Sequence, residues 1–353
     1  MLIRPPRLKA GDRVAAVSLS WGGPGTFPAR YEIGKRQLEA AFGLEVVDMP
    51  HTTADPAAIA ADPVARADDL HRAFADPDIA GVIATIGGDD SIRLLPHLDL
   101  ELLAANPKVY LGCSDPTVIH MALRRAGLRS FYGPTIMASF GENQGLHDYV
   151  VQGVRRMLFE TDAPVEWPEN DVGWTVELLD WADPSSQQRR RRLEPATGWR
   201  WHGGEAAEGE SVVACLEVFD WLRGTQWWPS LDGAVLMLET SEEAPPPGYL
   251  TRFLRILAVT GELHQLAALV LGRPGGRGLS ADDRLAYDDA VLQVIRREQA
   301  LHSLPIVTGV DFGSHRPDLD CPPGHPDSAR SRCQDDHVPG SRRVIGNTTQ
   351  LPP

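Results

Sequence analysis

Short apolar runs alternate with segments of helical apolar spacing through the first 160 residues. The runs that predict buried strands are Arg13–Leu19, Leu44–Asp48, Ala80–Ile86 and Lys108–Leu111, and the spacings that predict helices are Tyr31–Phe42, Asp62–Ala75 and Val118–Ala126. Asp62 followed by Pro63 is a typical helix start, with an N-cap acid and a proline in the first turn. Strands that alternate with helices indicate a mainly parallel sheet covered by helices. We therefore predict an α/β fold whose N-terminal domain, residues 1–160, has a flavodoxin-like parallel sheet.

The composition of the sequence changes between residues 161 and 210, where prolines, acidic residues and tryptophans are mixed. Eight of the nine tryptophans fall between Trp167 and Trp228. We interpret residues 161–210 as a connecting segment and residues 211–317 as a smaller C-terminal α/β domain. Its predicted elements are a helix near Ala214–Arg223, a strand Gly233–Leu238, a helix Tyr249–Thr260, a strand Ala267–Leu271, a helix Ala281–Ala300 and a strand Ile306–Val310. Residues 318–353, rich in Pro, Gly, Ser and charge, are expected to be a disordered tail.

Composition narrows the class of protein. The 353 residues carry 34 Lys and Arg against 48 Asp and Glu, a formal net charge of −14. Proteins that track nucleic-acid phosphates are usually basic, so a nucleic-acid polymer is not an expected partner. No run approaches the ~20 apolar residues of a membrane span, and no secretory cleavage site follows the first apolar run. The expectation is an acidic cytoplasmic protein.

The clearest candidate for chemistry is Ser114, in the run Gly112-Cys113-Ser114-Asp115-Pro116 between a predicted strand and a predicted helix. Strand, tight turn, serine and helix make the geometry of a nucleophile elbow. There the hydroxyl projects from the turn, and the next backbone N–H points toward a developing oxyanion. Pro116 stands where the common pattern has its last glycine. The alternative, which this motif alone favours, is that Ser114 caps the helix.

Paired glycines follow another predicted strand. Gly87 and Gly88 let the backbone approach a ligand closely and offer N–H groups to it, whereas the alternative is an ordinary strand-to-helix turn. The chain lacks a GxGxxG fingerprint, and its histidines do not cluster at metal-ligand spacings. Neither a dinucleotide cofactor nor a metal is therefore expected.

An acid and a histidine follow two strands in the second half. Glu239 comes directly after the apolar run Leu236–Leu238, where a carboxylate can hold and orient a histidine. His315 lies beyond the predicted strand Ile306–Val310. A lone loop histidine is usually a surface residue, and an acid at a strand end is often a solvated cap. Together, however, the four strand ends supply a nucleophile, oxyanion donors, a carboxylate and a base.

The motifs GGDDS, GCSD, LETSEE and DFGSH, in this order, resemble the LD-carboxypeptidase family of serine peptidases. The spacing from Ser114 to Glu239 and the stretch VACLEVFDWLRGTQWWP resemble the branch that contains the microcin C self-immunity peptidases. The resemblance covers residues 3–317. It implies a Ser–His–Glu triad without metal or other cofactor, usually in a homodimer. The residues it assigns are Ser114 as nucleophile, Glu239 as orienting carboxylate, His315 as base, and Gly87, Gly88 and the Asp115 N–H as the oxyanion side.

The histidine motif departs from the family pattern F-G-H-T-x-P. Counted from Phe312, Ser314 occupies the histidine position and His315 comes one residue later. Proton transfer needs about 2.6–3.2 Å between heavy atoms, so a base displaced by one residue can face away from its partner. One hypothesis is that the reading frame of the coding sequence shifted near Gly313, which resequencing tests. Another is that the protein is a catalytically impaired binding homologue.

The resemblance implies two classes of substrate. One branch cleaves an amide or phosphoramidate-type bond in peptidyl- or aminoacyl-nucleotides, and the other trims the terminal D-amino acid from a muropeptide. The tryptophan-rich segment favours the first class, because an indole such as Trp181 can stack on a nucleobase, a contact worth about 1–3 kcal/mol. The alternative is that these tryptophans anchor the connecting segment to the core. Likewise, the run Arg189–Arg192 can bind a phosphate or carboxylate, or its side chains can simply be solvent-exposed in a loop.

Overall fold

A parallel five-stranded sheet forms the first half of the protein. The computed structural model describes residues 2–160, 166–204, 206–276 and 278–313, and the backbone of residues 327–329 and 344–346. The strands of this sheet are β1 (Arg13–Val17), β2 (Glu45–Asp48), β3 (Ile79–Ala84), β4 (Val109–Gly112) and β5 (Phe131–Tyr132). They lie in the order β2-β1-β3-β4-β5 and every neighbouring pair is parallel. This is the flavodoxin-like strand order, so the predicted architecture is confirmed.

Helices connect these strands. Those of the first half are α1 (Gly23–Thr26), α2 (Pro28–Phe42), α3 (Pro56–Ala61), α4 (Pro63–Ala75), α5 (Leu100–Ala105), α6 (Thr117–Arg125) and α7 (Asp148–Val154). The predicted start of α4 is confirmed, because the Asp62 side chain accepts a hydrogen bond from the Ala65 N–H at 2.9 Å. No helix in these described parts of the chain, or in those that follow, has the length and apolar character to cross a bilayer.

A second sheet forms the other half. The remaining strands are β6 (Glu166–Trp167), β7 (Arg200–Trp201), β8 (Ser211–Cys215), β9 (Val235–Glu239), β10 (Ala268–Gly272), β11 (Ile306–Val310), β12 (Asp327–Ala329) and β13 (Val344–Gly346), and the helices are α8 (Leu216–Trp221), α9 (Pro247–Val259) and α10 (Ala281–Leu292). The second sheet has the order β7-β11-β10-β9-β8, parallel except for the β7–β11 pair. Strands β12, β13 and β6 form a small antiparallel sheet. The rest of the predicted tail, 318–353, lies outside the described residues.

The predicted helix at Ala214–Arg223 is wrong at its beginning. Ser211–Cys215 form strand β8, and helix α8 covers only Leu216–Trp221. The run SVVACLEVF is almost continuously apolar, and such a run has no period that separates a strand from a helix. Parallel pairing with β9, which sets Val212 opposite Leu236, decides in favour of the strand. The predicted helix Ala281–Ala300 is α-helical to Leu292 and continues as a π-helical turn, Gln293–Glu298.

The cores of the two halves are continuous. Val213 and Met237 of the second sheet share one buried cluster with Val14 and Leu111 of the first. Polar contacts reinforce this packing, since the Cys215 N–H donates to the Thr117 hydroxyl at 3.0 Å in a buried position. The connecting segment is anchored by buried tryptophans, namely Trp167, Trp174 and Trp199. For these three residues the anchoring interpretation is correct.

Candidate active site

Ser114 lies on a sharp turn between strand β4 and helix α6. Its backbone φ is 68°, in the left-handed region that non-glycine residues seldom occupy. Its carbonyl accepts from the Thr117 N–H at 2.9 Å, where the helix begins. The N-cap of α6 is Pro116, with no side-chain capping bond, so the alternative in which Ser114 caps the helix is wrong. The local geometry is that of a nucleophile elbow.

The glycine pair after β3 lies directly against this turn. A Cβ at Gly87 would sit 3.1 Å from the Ser114 Cβ and 3.2 Å from its Oγ. Gly88 has φ 155°, and a Cβ there would sit 3.0 Å from the Ser20 Cβ. Gly87 therefore brings bare backbone next to the Ser114 hydroxyl, and Gly88 lines the same cavity, where its positive φ and the close Ser20 side chain leave no room for a Cβ. This placement supports the oxyanion-side interpretation over an ordinary turn.

Asp115, the residue after the serine, is fully buried and tied to the same loop. The Ser91 N–H donates to the Asp115 Oδ2 at 3.0 Å, and the Ser91 hydroxyl donates to the Asp115 carbonyl at 2.9 Å. Burial raises the pKa of the Asp115 carboxyl, although hydrogen bonds to it act in the opposite direction. These bonds fix the peptide that follows Ser114 and hold the elbow against the glycine loop.

Glu239, the last residue of β9, is buried and reaches the elbow through a tyrosine. The Tyr132 hydroxyl donates to Glu239 Oε1 at 2.6 Å and accepts from the Ser114 N–H at 2.7 Å. Burial, followed by the charge of Glu239, raises the pKa of Tyr132 well above its ordinary value, so this hydroxyl stays protonated. The structure thus brings Ser114 and Glu239 together across 125 residues, as the motif order predicts.

The segment that carries the predicted base reaches the same place. Gly313 has φ 108°, and a Cβ there would lie 2.5 Å from the Glu239 Cβ and 2.8 Å from its Oε2. Only glycine fits here, because any side chain would collide with the carboxylate. Ser314 and His315 lie outside the described residues, so the role of His315 stays a prediction. Of the histidines in the described part of the chain, none lines the cavity at Ser114.

A cavity of about 510 Å³ opens at Ser114. Its lining includes Gly87, Gly88 and Gly313, and Trp181 of the connecting segment. The Trp181 ring meets Phe27 edge-on at 5.7 Å, and the Arg30 guanidinium lies 4.9 Å from its centroid. Trp181 is half-buried, so it both packs on the first domain and faces the cavity. This volume is typical of a small-molecule site.

Two lining residues escaped the sequence analysis. Trp21 and Arg30 both face the cavity, although each lies more than 80 residues before Ser114. Arg30 is buried and donates to the Met137 carbonyl at 2.9 Å and to Gln187 at 3.0 Å. The WG pair at Trp21 and the helical position of Arg30 carry no local mark of a ligand site.

The arginine run Arg189–Arg192 mostly fixes the connecting segment. Arg189 pairs with Glu177 at 2.8 Å, and this hydrogen-bonded partner lowers the pKa of Glu177 to about 2. Arg191 forms an ion pair with the buried Glu142 and also lines the cavity. Within the described ranges, no group of three or more His, Cys, Asp or Glu side chains is placed to hold a metal ion.

The fold and the site together define a two-sheet α/β protein with a serine on a nucleophile elbow and a buried carboxylate beside it. The family model of the LD-carboxypeptidase N-terminal domain matches residues 14–133, and that of the LD-carboxypeptidase C-terminal domain matches residues 208–326. These matches cover more than half of the chain, and the protein therefore belongs to the LD-carboxypeptidase family.

Individual relatives agree with this assignment. The microcin C7 self-immunity protein MccF of Escherichia coli is 26% identical over 261 residues, 73% of each chain. The murein tetrapeptide carboxypeptidase of Pseudomonas aeruginosa is 44% identical over 70 residues, 20% of this chain and 23% of the relative. The crystal structure of an MccF-like protein from Streptococcus pneumoniae in complex with AMP has a TM-score of 0.81 and 27% identity, covering 96% of this chain and 99% of that one. The chain is thus similar both to a microcin C7 self-immunity protein and to a murein tetrapeptide carboxypeptidase.

Proposed function

We propose that this protein is a serine peptidase that cleaves an amide bond in a peptidyl- or aminoacyl-nucleotide. The observation that carries the proposal is the meeting of Ser114 and Glu239, through Tyr132, at a cavity bordered by Trp181. The strained serine supplies the nucleophile and the carboxylate supplies an orienting group. The similarity to an AMP-bound structure supports the nucleotide part of the substrate.

The proposed mechanism uses His315 as the base. It removes the proton of the Ser114 hydroxyl while the oxygen attacks the amide carbonyl, and Glu239 orients and stabilises the imidazolium. Backbone N–H groups of the glycine pair and of Asp115 stabilise the oxyanion, by about 2.7–4 kcal/mol for each donor. His315 then gives its proton to the leaving amine. Water hydrolyses the ester on Ser114 and restores the free hydroxyl.

Trp181 and Arg30 form the part of the cavity that we assign to the nucleoside. The indole is held by Phe27 on its edge and by the Arg30 guanidinium over its ring. Such an immobilised aromatic ring suits base stacking, because little side-chain entropy remains to be lost on binding. Arg30 also brings positive charge to this part of the lining, which suits a phosphate or phosphate-like group.

A muropeptide substrate is the second candidate, and the acids of the cavity favour it. Glu217, Glu242 and Glu243 line the cavity, and within the described ranges none of them forms an ion pair with Lys, Arg or His. Glu217 accepts from the Ser241 N–H at 3.1 Å, which holds its carboxylate in place. A peptide that carries a free ammonium group would find complementary charge here. The similarity to a murein tetrapeptide carboxypeptidase points the same way.

Turnover of an aminoacyl-nucleotide and of a muropeptide by the full chain tests the proposal. We expect an aminoacyl-adenosine phosphoramidate to be split at its amide bond into the amino acid and adenosine phosphoramidate, with products identified by liquid chromatography and mass spectrometry. Ser114→Ala should lose several orders of magnitude in kcat while Ser185→Ala, at an exposed serine, keeps the wild-type rate.

Each of the other possible results would contradict a different part of the proposal. Turnover of a muropeptide alone would assign the second candidate. Binding of both ligands by the wild type without turnover of either would indicate the impaired binding homologue. Undiminished turnover by Ser114→Ala would refute the mechanism.

The resemblance to the family also supports a homodimer that works in the cytoplasm, which we include in the proposal. Light scattering of the purified protein measures its mass in solution. A single species at the 38.5 kDa of one chain would contradict the homodimer.

A further inference from the structure

The Tyr132 hydroxyl lies between the two groups that the proposed mechanism needs. An amide N–H can only donate, so the tyrosine oxygen accepts from Ser114, at 2.7 Å. An ionised carboxylate can only accept, so the tyrosine proton is directed at Glu239 Oε1, at 2.6 Å. The direction of both hydrogen bonds is therefore fixed. The bridge joins β5 of the first sheet to β9 of the second.

The bridge acts on both of its ends. At one end it satisfies the backbone N–H of a residue that is held at φ 68°. At the other it engages Oε1 of Glu239, whereas Oε2 faces Gly313 and the segment that leads to His315. A carboxylate with one oxygen held in this way has a defined orientation for its other oxygen.

We propose that Tyr132 is a positioning residue, which sets Ser114 and Glu239 relative to each other and orients the Glu239 carboxylate toward the base. This inference rests on the proposed function, because it assigns Tyr132 a part in the same reaction. The tyrosine acts through its two partners and not on the substrate, since it is buried and absent from the cavity lining.

The surroundings of Tyr132 suit this role. Its ring packs at 5.4 Å from the buried His120 ring, which fixes the direction of the hydroxyl. The titratable groups that face the bridge are Glu239, Cys113, Cys215 and His120. Burial raises the pKa of the Cys215 thiol and lowers that of His120 to about 4, so both are neutral at pH 7. Glu239 is the group that accepts the hydrogen bond of the Tyr132 hydroxyl.

Tyr132→Phe tests the inference, and Tyr110→Phe is its matched control. Tyr110 is also fully buried beside His120, at 5.0 Å, but its hydroxyl has no hydrogen-bond partner within the described residues. Tyr132→Phe should lower kcat by about tenfold to hundredfold, as a small misplacement of reacting groups does, with KM changed much less. Tyr110→Phe should keep the wild-type kcat.

The pH profile separates positioning from a merely structural effect. The acid limb of the kcat/KM profile reports the base His315, whose imidazolium Glu239 stabilises. Loss of the Tyr132 hydrogen bond leaves more of the carboxylate charge to act on this imidazolium, so the acid limb should move to higher pH in Tyr132→Phe. A wild-type kcat and an unmoved limb in Tyr132→Phe would overturn the inference while leaving the proposed function intact. An inactive wild type would overturn the proposed function and this inference together.

If Tyr132→Phe fails to fold, 3-fluorotyrosine at position 132 keeps both the shape and the hydroxyl. Its more acidic phenol is a stronger donor to Glu239 and should move the acid limb to lower pH. The same replacement at position 110 should leave the limb in place. Equal limbs in both proteins would overturn the inference.

Discussion

Individual residues of the site were predictable where a local motif marks them. Ser114, Gly87 and Glu239 each stand at or just after the end of a strand, and the structure brings them together at the elbow. Tyr132 carries no such mark, because its importance comes from partners 18 and 107 residues away. A phenol in a two-residue strand looks like any core residue until the tertiary contact is known.

Trp181 permits a prediction at this scale. Trp181→Ala should weaken binding of an aminoacyl-adenylate analogue to Ser114→Ala by about tenfold to hundredfold, because it removes a stacking contact worth about 1–3 kcal/mol. Titration calorimetry measures the affinity. Trp227→Ala is the control, since Trp227 is also half-buried and stacked on by an arginine but lies outside the cavity lining. Equal weakening of a muropeptide by Trp181→Ala would argue against stacking on a nucleobase.

Most elements were predictable from apolar patterns, and their exceptions have physical causes. The bounds predicted for β11 are the observed ones, whereas the predicted helix Ala214–Arg223 includes the last two residues of β8, because this apolar run has no period. The two-residue strand β5 is too short for any pattern to show, although it carries Tyr132.

Helix α6 is joined to its neighbours by His120, which donates through Nε2 to the Gly112 carbonyl and accepts through Nδ1 from Ser130, each at 2.8 Å.

His120 predicts how the stability of these elements depends on pH. Burial lowers its pKa in the folded protein to about 4, from an ordinary value of 6.5. Between these values the unfolded chain binds a proton that the folded protein does not, so the free energy of unfolding falls as pH decreases from 6.5 to 4. The loss attributable to His120 is about 3 kcal/mol at pH 4 and below.

Urea unfolding at several pH values measures this dependence. His120→Gln should show a smaller loss of stability across the window from 6.5 to 4 than the wild type, even if it is less stable at pH 7. The exposed His264→Gln is the control and should keep the wild-type slope. The same slope in all three proteins would contradict the assignment.

At the scale of the whole molecule, the site exists only because two sheets meet. One sheet supplies Ser114 and the glycine loop, and the other supplies Glu239 and the strand that leads to Gly313. The order of the four motifs predicted this convergence, since parallel strands place their loops at the carboxyl edge of a sheet. The walls of the cavity were not predictable, because Trp21, Arg30 and the acids reach it from separate loops and helices.

Covalent labelling of Ser114 tests the central claim, that this serine is an activated nucleophile, most directly. The full chain is treated with a fluorophosphonate, and the modified peptide is identified by mass spectrometry. We predict one adduct, on the peptide that contains Ser114, absent from Ser114→Ala and formed about 10²- to 10⁴-fold more slowly in His315→Ala, the range that a general base contributes. No adduct on the wild type, or an adduct that persists in Ser114→Ala, would contradict the account.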